Sequence, residues 1–220
     1  LNDSRESLQC QHQTLIDIVA PKTTYHHKNL RRTLLDAALQ ALADGKTISL
    51  RDIARRAGVS HTAPYRHFAD KEALLAAVAE EGFVKFGQCL QEAKASLENR
   101  PLQALQATGV AYVRYAIQHS THYRVMFGQN LYRCGEYPAL LDASGAAFEI
   151  LVSIIEAGQV QGTIKSGEAQ QLALGAWAQV HGLAMLLLDG QLAVSGLENI
   201  EAMTQQMIQS SIQGLLVSSG

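Results

Sequence analysis

The chain has 220 residues, 47% of them apolar and 17% charged, enough apolar side chain for a core and too little charge for a disordered polymer. No apolar run approaches the ~20 residues of a membrane span, and residues 1–24 lack the basic start and apolar core of a secretory signal. Cys10, Cys89 and Cys134 are an odd, scattered set, so the reading is a soluble, cytoplasmic protein with reduced thiols, no metal and no disulfide frame.

The formal net charge of −2 conceals an uneven distribution. Between Tyr25 and Glu72 nine Lys/Arg face five acids, a net +4, and the remainder of the chain carries −6. A basic segment on an acidic body is the asymmetry expected where one part meets phosphate and the other does not.

In chain order, residues 1–27 show no sustained period and read as a loose N-terminal arm. From Asn29 a helical period begins with Leu30, Leu34, Leu35, Ala38, Leu39 and Leu42, and Asp44-Gly45 ends it. Ser49, with an acid three residues on at Asp52, opens a short helix that Gly58-Val59-Ser60 breaks. A third short helix is predicted through Tyr65 to Phe68, starting near Ser60–Thr62 with Ser60 as its cap. Asp70 then caps a long helix bearing Leu74, Leu75, Val78, Phe83 and Phe86. Beyond Pro101 the pattern stays helical: Leu102 to Ile117, a short helix at Tyr123–Phe127, a helix from Pro138 and a loop of Gly158, Gly162 and Gly167. Two last helices are predicted, at about Glu168–Leu188 and Leu197–Val217. No stretch alternates like a strand, so the class is all-α.

Two short helices joined by Ala57-Gly58-Val59-Ser60 have the length and breaker chemistry of a DNA-reading helix-turn-helix. The ordered set Leu50, Arg51, Ile53, Ala54, Ala57, Gly58, Val59, Ser60, Tyr65, His67, Phe68, Lys71, Leu74 and Leu75 resembles the N-terminal domain of the TetR family of repressors. The resemblance spans about 45 residues, roughly Asn29 to Leu75. Leu50 stands where threonine or serine is frequent, and Pro64 where the family carries Leu, Ile or Val. The resemblance implies DNA contacts from His61, Thr62, Ala63, Tyr65, Arg66 and His67, with Arg51 and Lys71 as backbone clamps. Tyr65 and His67 are candidates for phosphate, and Thr62, Ala63 and Arg66 for base edges. For Tyr65 a ring packed on Leu34 is the alternative. Arg55 and Arg56 have an equal reading as a solvated helix face.

The same resemblance implies a three-helix DNA-binding domain at 28–73 and a larger helical effector-binding and dimerisation domain at 74–220. It further implies a homodimer through the last two helices, which meets a palindromic operator and is released by a small, largely apolar effector. Leu172, Gly175, Ala176, Gln179, Gly182, Leu183 and Leu186 suit close helix approach. Leu197, Ile200, Met203, Met207, Ile208, Ile212 and Leu215 form the second stripe. Trp177 and His181 lie one turn apart in a Trp-x-x-x-His-Gly element resembling one in a subgroup of the family. Trp177, His181, Tyr112, Tyr115, Tyr123, Met126 and Phe127 are the candidate cavity lining, with ordinary core and a carbonyl-bonded histidine as the alternative. No cofactor is implied.

No catalytic motif is present: Gly-x-Ser-x-Gly, a phosphate-cradling loop and HExxH are all missing from the sequence. Asp142, Glu149 and Glu156 share a helical face without a histidine among them. The rival to a regulator is therefore a helical interaction module without operator binding, which the basic segment disfavours.

Overall fold

A computed structural model describes residues 30–128, 137–192 and 200–216. The predicted arm, the histidine pair His26-His27, Cys10, Cys134 and Leu197 lie outside the described residues. The chain divides into two compact units, Leu1–Leu30 and Arg31–Gly220, and every candidate site residue belongs to the second.

Eight α-helices and one 3-10 helix are described: α1 (Leu30–Ala43), α2 (Leu50–Arg56), the 3-10 helix (Pro64–Arg66), α3 (Lys71–Lys94), α4 (Pro101–Gln118), α5 (Ser120–Met126), α6 (Pro138–Val160), α7 (Ala169–Leu188) and α8 (Ile200–Gln213). The architecture is all-α. The described residues contain only an isolated bridge between Ile164 and Leu216, beside a hydrogen bond from the Lys165 amide to the Leu215 carbonyl (2.9 Å).

The N-terminal helices begin and end where side chains satisfy the backbone. Gly45 takes φ +69°, which permits the chain to leave α1. The Ser49 side chain accepts the Asp52 amide and donates its own proton to the Asp52 carboxylate (2.7 Å), so serine and acid lock the start of α2. Gly58 (φ +67°) makes the turn after α2. The Asp70 carboxylate accepts the Ala73 amide at 2.7 Å and starts α3. Leu34, Leu35, Ala38, Ile53, Ala54, Phe68, Leu74 and Val78 are buried, and these apolar faces form the small core of the helix-turn-helix.

The predicted second helix of that motif is a turn and a single 3-10 helix. Pro64 has no N–H to donate to the Ser60 carbonyl, which accepts the Ala63 amide instead (3.0 Å). Three-residue closures continue from Arg66 to Ala63 and from His67 to Pro64. Ser60 does not cap a helix with its side chain; its hydroxyl pairs with that of Thr62 at 3.2 Å. The Pro64 ring is fully buried, so it retains the core role of the aliphatic residue it replaces. Leu50, where a hydroxyl was expected, is also buried, and Ser49 supplies the cap.

In the body, α3 packs on α4, α5 and α6, and α4 packs on α6, α7 and α8. Leu105, Ile154, Ile155, Ile164, Ile208 and Ile212 lie at the centre of this core. Three expectations change. Gly158 belongs to α6, not to a loop, and any side chain there would collide with Ile164. Ile117 is exposed, because α4 buries the face carrying Thr108, Tyr112 and Tyr115. α6 and α7 are each long and apolar enough to cross a membrane by length and composition, although neither is an unbroken apolar run. Both pack on other helices, and α6 holds Asp142, Glu149 and Glu156 on its exposed side.

Asp70→Ala removes the α3 cap, and a loss of about 1 kcal/mol is expected, read from the urea midpoint. An unchanged midpoint would show that water caps α3 equally well.

Candidate nucleic-acid interface and ligand cavity

α2 packs on the 3-10 helix, so Arg51 on the first and Tyr65 and Arg66 on the second belong to one small platform. Arg51, His61, Thr62, Tyr65, Arg66, His67 and Lys71 are all exposed, and Ala63 is half-buried. Tyr65 is 53% exposed, so about half of it faces solvent. Arg51, Arg66 and Lys71 have no ion-pair partner among the described residues. Arg55 and Arg56 differ, since they pair with Asp52 (3.0 Å) and Asp44 (3.2 Å). Both therefore fit the solvated-face reading, while three neighbouring cations keep their charge uncommitted. Phe68 is buried, with the Arg31 guanidinium 5.8 Å above its ring.

Behind this platform, Arg32 of α1 bonds Glu81 of α3 at 2.8 Å and Asp36 at 2.7 Å, and Lys85 bonds the same Glu81 oxygen. Burial raises the Glu81 pKa, but the hydrogen bonds from Lys85 and Arg32 outweigh it and hold the carboxyl below its usual range. One turn along, Gly82 permits the close approach of α4 and α5. The Tyr115 hydroxyl donates to the Gly82 carbonyl (2.9 Å), and a methyl at 82 would lie 2.7 Å from the Met126 side chain.

The body holds a partly open cavity of about 310 Å³ lined by Phe83, Phe86, Leu90, Tyr112, Phe127, Ser144, Gly145, Ala147, Phe148, Leu151 and Trp177. Of the predicted lining, Tyr112, Phe127 and Trp177 face it. Tyr123 and His181 stand behind the wall, where the hydroxyls of Tyr112 and Tyr123 meet at 2.9 Å. These hydroxyls lie 2.9 and 2.7 Å from His181 Nδ1, and the Trp177 indole N–H donates to Tyr112 at 3.0 Å. His181 is thus satisfied by two hydroxyls rather than a backbone carbonyl. The Phe127 ring packs across it at 4.6 Å.

Tyr115 and Met126 do not line the cavity; they are buried at the Gly82 contact. The sequence reading did not name Phe83, Phe86, Leu90 or Phe148 as lining; it placed Phe83 and Phe86 only on the apolar face of a long helix. Their signal was aromatic density on the inner faces of α3 and α6, more ring area than a tight aliphatic core requires.

The last helix also changes role. Ile208, Ile212 and Leu215 are buried in the core of their own chain, whereas Met203 and Met207 are half-buried. On α7, Leu183 is buried but Leu174 (51% exposed), Gly175, Ala178, Gln179 and Leu186 (46% exposed) form an open face at helical spacing. A methyl at Gly175 or Gly182 would meet nothing within 4 Å.

Residues 34–78 match the family model of bacterial regulatory proteins, tetR family, and residues 105–210 that of the tetracyclin repressor-like C-terminal domain. An uncharacterized HTH-type transcriptional regulator of Haemophilus influenzae is 35% identical over 71 residues, covering 31% of this chain and 35% of that protein. The match thus spans about a third of the relative's length. A solved structure of a protein of unknown function from Rhodococcus sp. RHA1 is 34% identical, with a TM-score of 0.78, over 89% of this chain and 100% of that one. SmeT in complex with triclosan, from Stenotrophomonas maltophilia, shares the fold (TM-score 0.59, 17% identity, 86% of this chain, 92% of that one).

Burial holds the pKa of His181 below its usual value, and burial is also the largest cause for His122, ahead of the Lys85 charge. The unfolded chain therefore takes up protons first as pH falls through about 6.5. Stability is expected to fall between pH 7 and 5, by no more than about 1.4 kcal/mol per pH unit for each histidine. Urea midpoints across that range should decline less steeply in the His122→Gln/His181→Gln double variant. An unchanged slope would place the titration elsewhere.

Proposed function

The chain belongs to the TetR family, whose members are DNA-binding transcriptional regulators, and from that premise we propose that it is a homodimeric repressor released from a palindromic operator by a small, largely apolar effector. The observation that carries this reading is that one helix serves both ends. α3 starts beside the exposed platform at Lys71 and supplies Phe83, Phe86 and Leu90 to the cavity wall. A ligand that moves those side chains moves the platform with them.

On the platform, Arg51 and Lys71 clamp phosphates, Tyr65 and His67 fix the register, and Thr62, Ala63 and Arg66 meet base edges. A turn with one 3-10 helix presents few residues to a groove, so a single platform has limited grip. Two platforms on a two-fold axis double the contacts and require an operator of matching symmetry.

The open α7 face supplies that axis. Leu174 and Leu186 are large apolar groups left in water, while Gly175, Ala178 and Gly182 let a second helix approach closely. α7 thereby meets its partner across a seam of small and leucine side chains, with Met203 and Met207 of α8 beside it. The apolar character that makes α7 resemble a membrane span is accounted for by this seam on one side and the cavity on the other. The effector reading rests on the cavity, and the triclosan bound to SmeT is a small apolar molecule of the kind it would take.

The test is a footprint of the purified protein on DNA upstream of its own gene, across a salt series. A protected site with two-fold symmetry, its affinity falling steeply with salt, is the expected result. Folded protein that selects no site from genomic DNA would sink the reading and favour an interaction module. Arg66→Ala should weaken specific binding by about 1–3 kcal/mol; an equal loss on random DNA would make Arg66 a phosphate contact. Leu174→Glu with Leu186→Glu should give a monomer by sedimentation, and a persisting dimer would move the interface off α7.

A further inference from the structure

The cavity has a second part. Leu90, Tyr112, Leu151 and Trp177 also line a narrow space of about 40 Å³ that runs between α4, α7 and α8. The two spaces meet at these four side chains but differ in chemistry. The larger is walled mainly by rings, including Phe83, Phe127 and Phe148. The smaller is aliphatic apart from its shared rim and two hydroxyls.

Those hydroxyls are already committed. Thr108 donates to the Ala104 carbonyl (2.8 Å) and Ser211 to the Met207 carbonyl (2.9 Å). In the larger space, Ser144 donates to the Leu141 carbonyl (3.0 Å), and Tyr112 is held by Tyr123, His181 and Trp177. Among the described residues, no Asp, Glu, Lys or Arg lines either space. A charged ligand would thus lose its hydration without gaining a partner.

Volume sets the size of each half. A dry apolar cavity of about 150 Å³ takes benzene, so about 310 Å³ accommodates one or two rings. The 40 Å³ annex holds a few water-sized groups, which corresponds to a branch of about two or three carbons. We propose that the effector is an uncharged arene carrying a short alkyl branch. Its ring lies among the phenylalanines, and its branch threads past Trp177 and Tyr112 into the aliphatic annex. This inference rests on the reading of the cavity as the effector site and adds the effector's chemical class.

The chain's single tryptophan stands on the shared wall, so its fluorescence reports occupancy without DNA. Full-length protein is titrated with benzene, ethylbenzene, propylbenzene, butylbenzene, hexane and benzoate, with calorimetry as the second readout. Affinity should rise about fourfold per methylene through the first two or three carbons and then level off. Hexane should bind more weakly than the propyl arene, and benzoate should not bind. Ala176→Leu places bulk in the annex alone and should flatten the length dependence, a slope that stays readable if overall affinity changes. Arene binding without length dependence in the wild type, or a slope unchanged by Ala176→Leu, would overturn the two-part effector and leave the apolar-cavity reading standing. If no hydrocarbon bound by either readout, the cavity reading would fail too.

Discussion

The unbroken course of α3 is the constraint on which the other features depend. Its 24 residues span about 36 Å, and no proline or charged cluster interrupts its buried face. Leu74 and Val78 complete the small core beneath the platform, and Phe83, Phe86 and Leu90 lie farther along the same helix at the cavity. A boundary at residue 73 falls inside the first turn of this helix, which contributes to the core at each end. A helix without proline offers no site for a sharp kink, so displacement at one end would be carried to the other.

The cavity wall shows how polar groups are tolerated in so apolar a body. Tyr112, Tyr123, His181 and Trp177 satisfy one another, and desolvation pushes the Tyr123 pKa up while pulling that of His181 down. Both shifts keep the cluster neutral, and a neutral cluster can sit beside an apolar ligand without a buried charge. Its geometry joins α4, α5 and α7, so the same four residues fix the orientation of the helix whose far side carries Leu174 and Leu186. α7 is two-faced for that reason: its inner side is specified by hydrogen bonds and rings, and its outer side by small residues.

Most helices and the caps at Ser49 and Asp70 were legible in the sequence because each rests on local chemistry. Ser49 with Asp52, Asp70, Gly45 and Gly58 act within a few residues of themselves. The cavity was legible only in part, since periodicity tells that a face is buried but not against what. Phe83 and Phe86 read only as an apolar helix face, and Tyr115 and Met126 read as lining, although the latter two pack at Gly82 and not on the space. Ile208, Ile212 and Leu215 form a stripe that the sequence alone does not distinguish from a subunit interface, yet α4 and α7 pack against their helix. Pro64 was visible as a departure, yet its result, a 3-10 helix in place of an α-helix, depended on which donor would take over the Ser60 carbonyl.

Two contacts join the middle of α3 to neighbouring helices, and their physics differs. The Arg32–Glu81–Lys85 network is substantially exposed, with Arg32 and Lys85 side chains 44% and 41% accessible, so salt and solvent weaken it. The packing of Met126 and Tyr115 at Gly82 is buried and has no such release. A ligand-driven shift of typical coupling energy, about 1–3 kcal/mol, exceeds what an exposed ion pair holds but is comparable to the cost of disturbing a close-packed contact. In the proposed mechanism the buried Gly82 contact would therefore couple α5 to movement of α3, whereas the ion pairs would not. The ion pairs tune the resting position of α1 against α3. α5 also holds the end of α7, through Arg124 on the Leu188 carbonyl and the Asp189 carboxylate (both 2.7 Å), so it contacts both α3 and the helix proposed to form the dimer seam. In the proposed dimer this doubles the effect of one bound effector: it tilts its own platform and alters the seam against which the other is set.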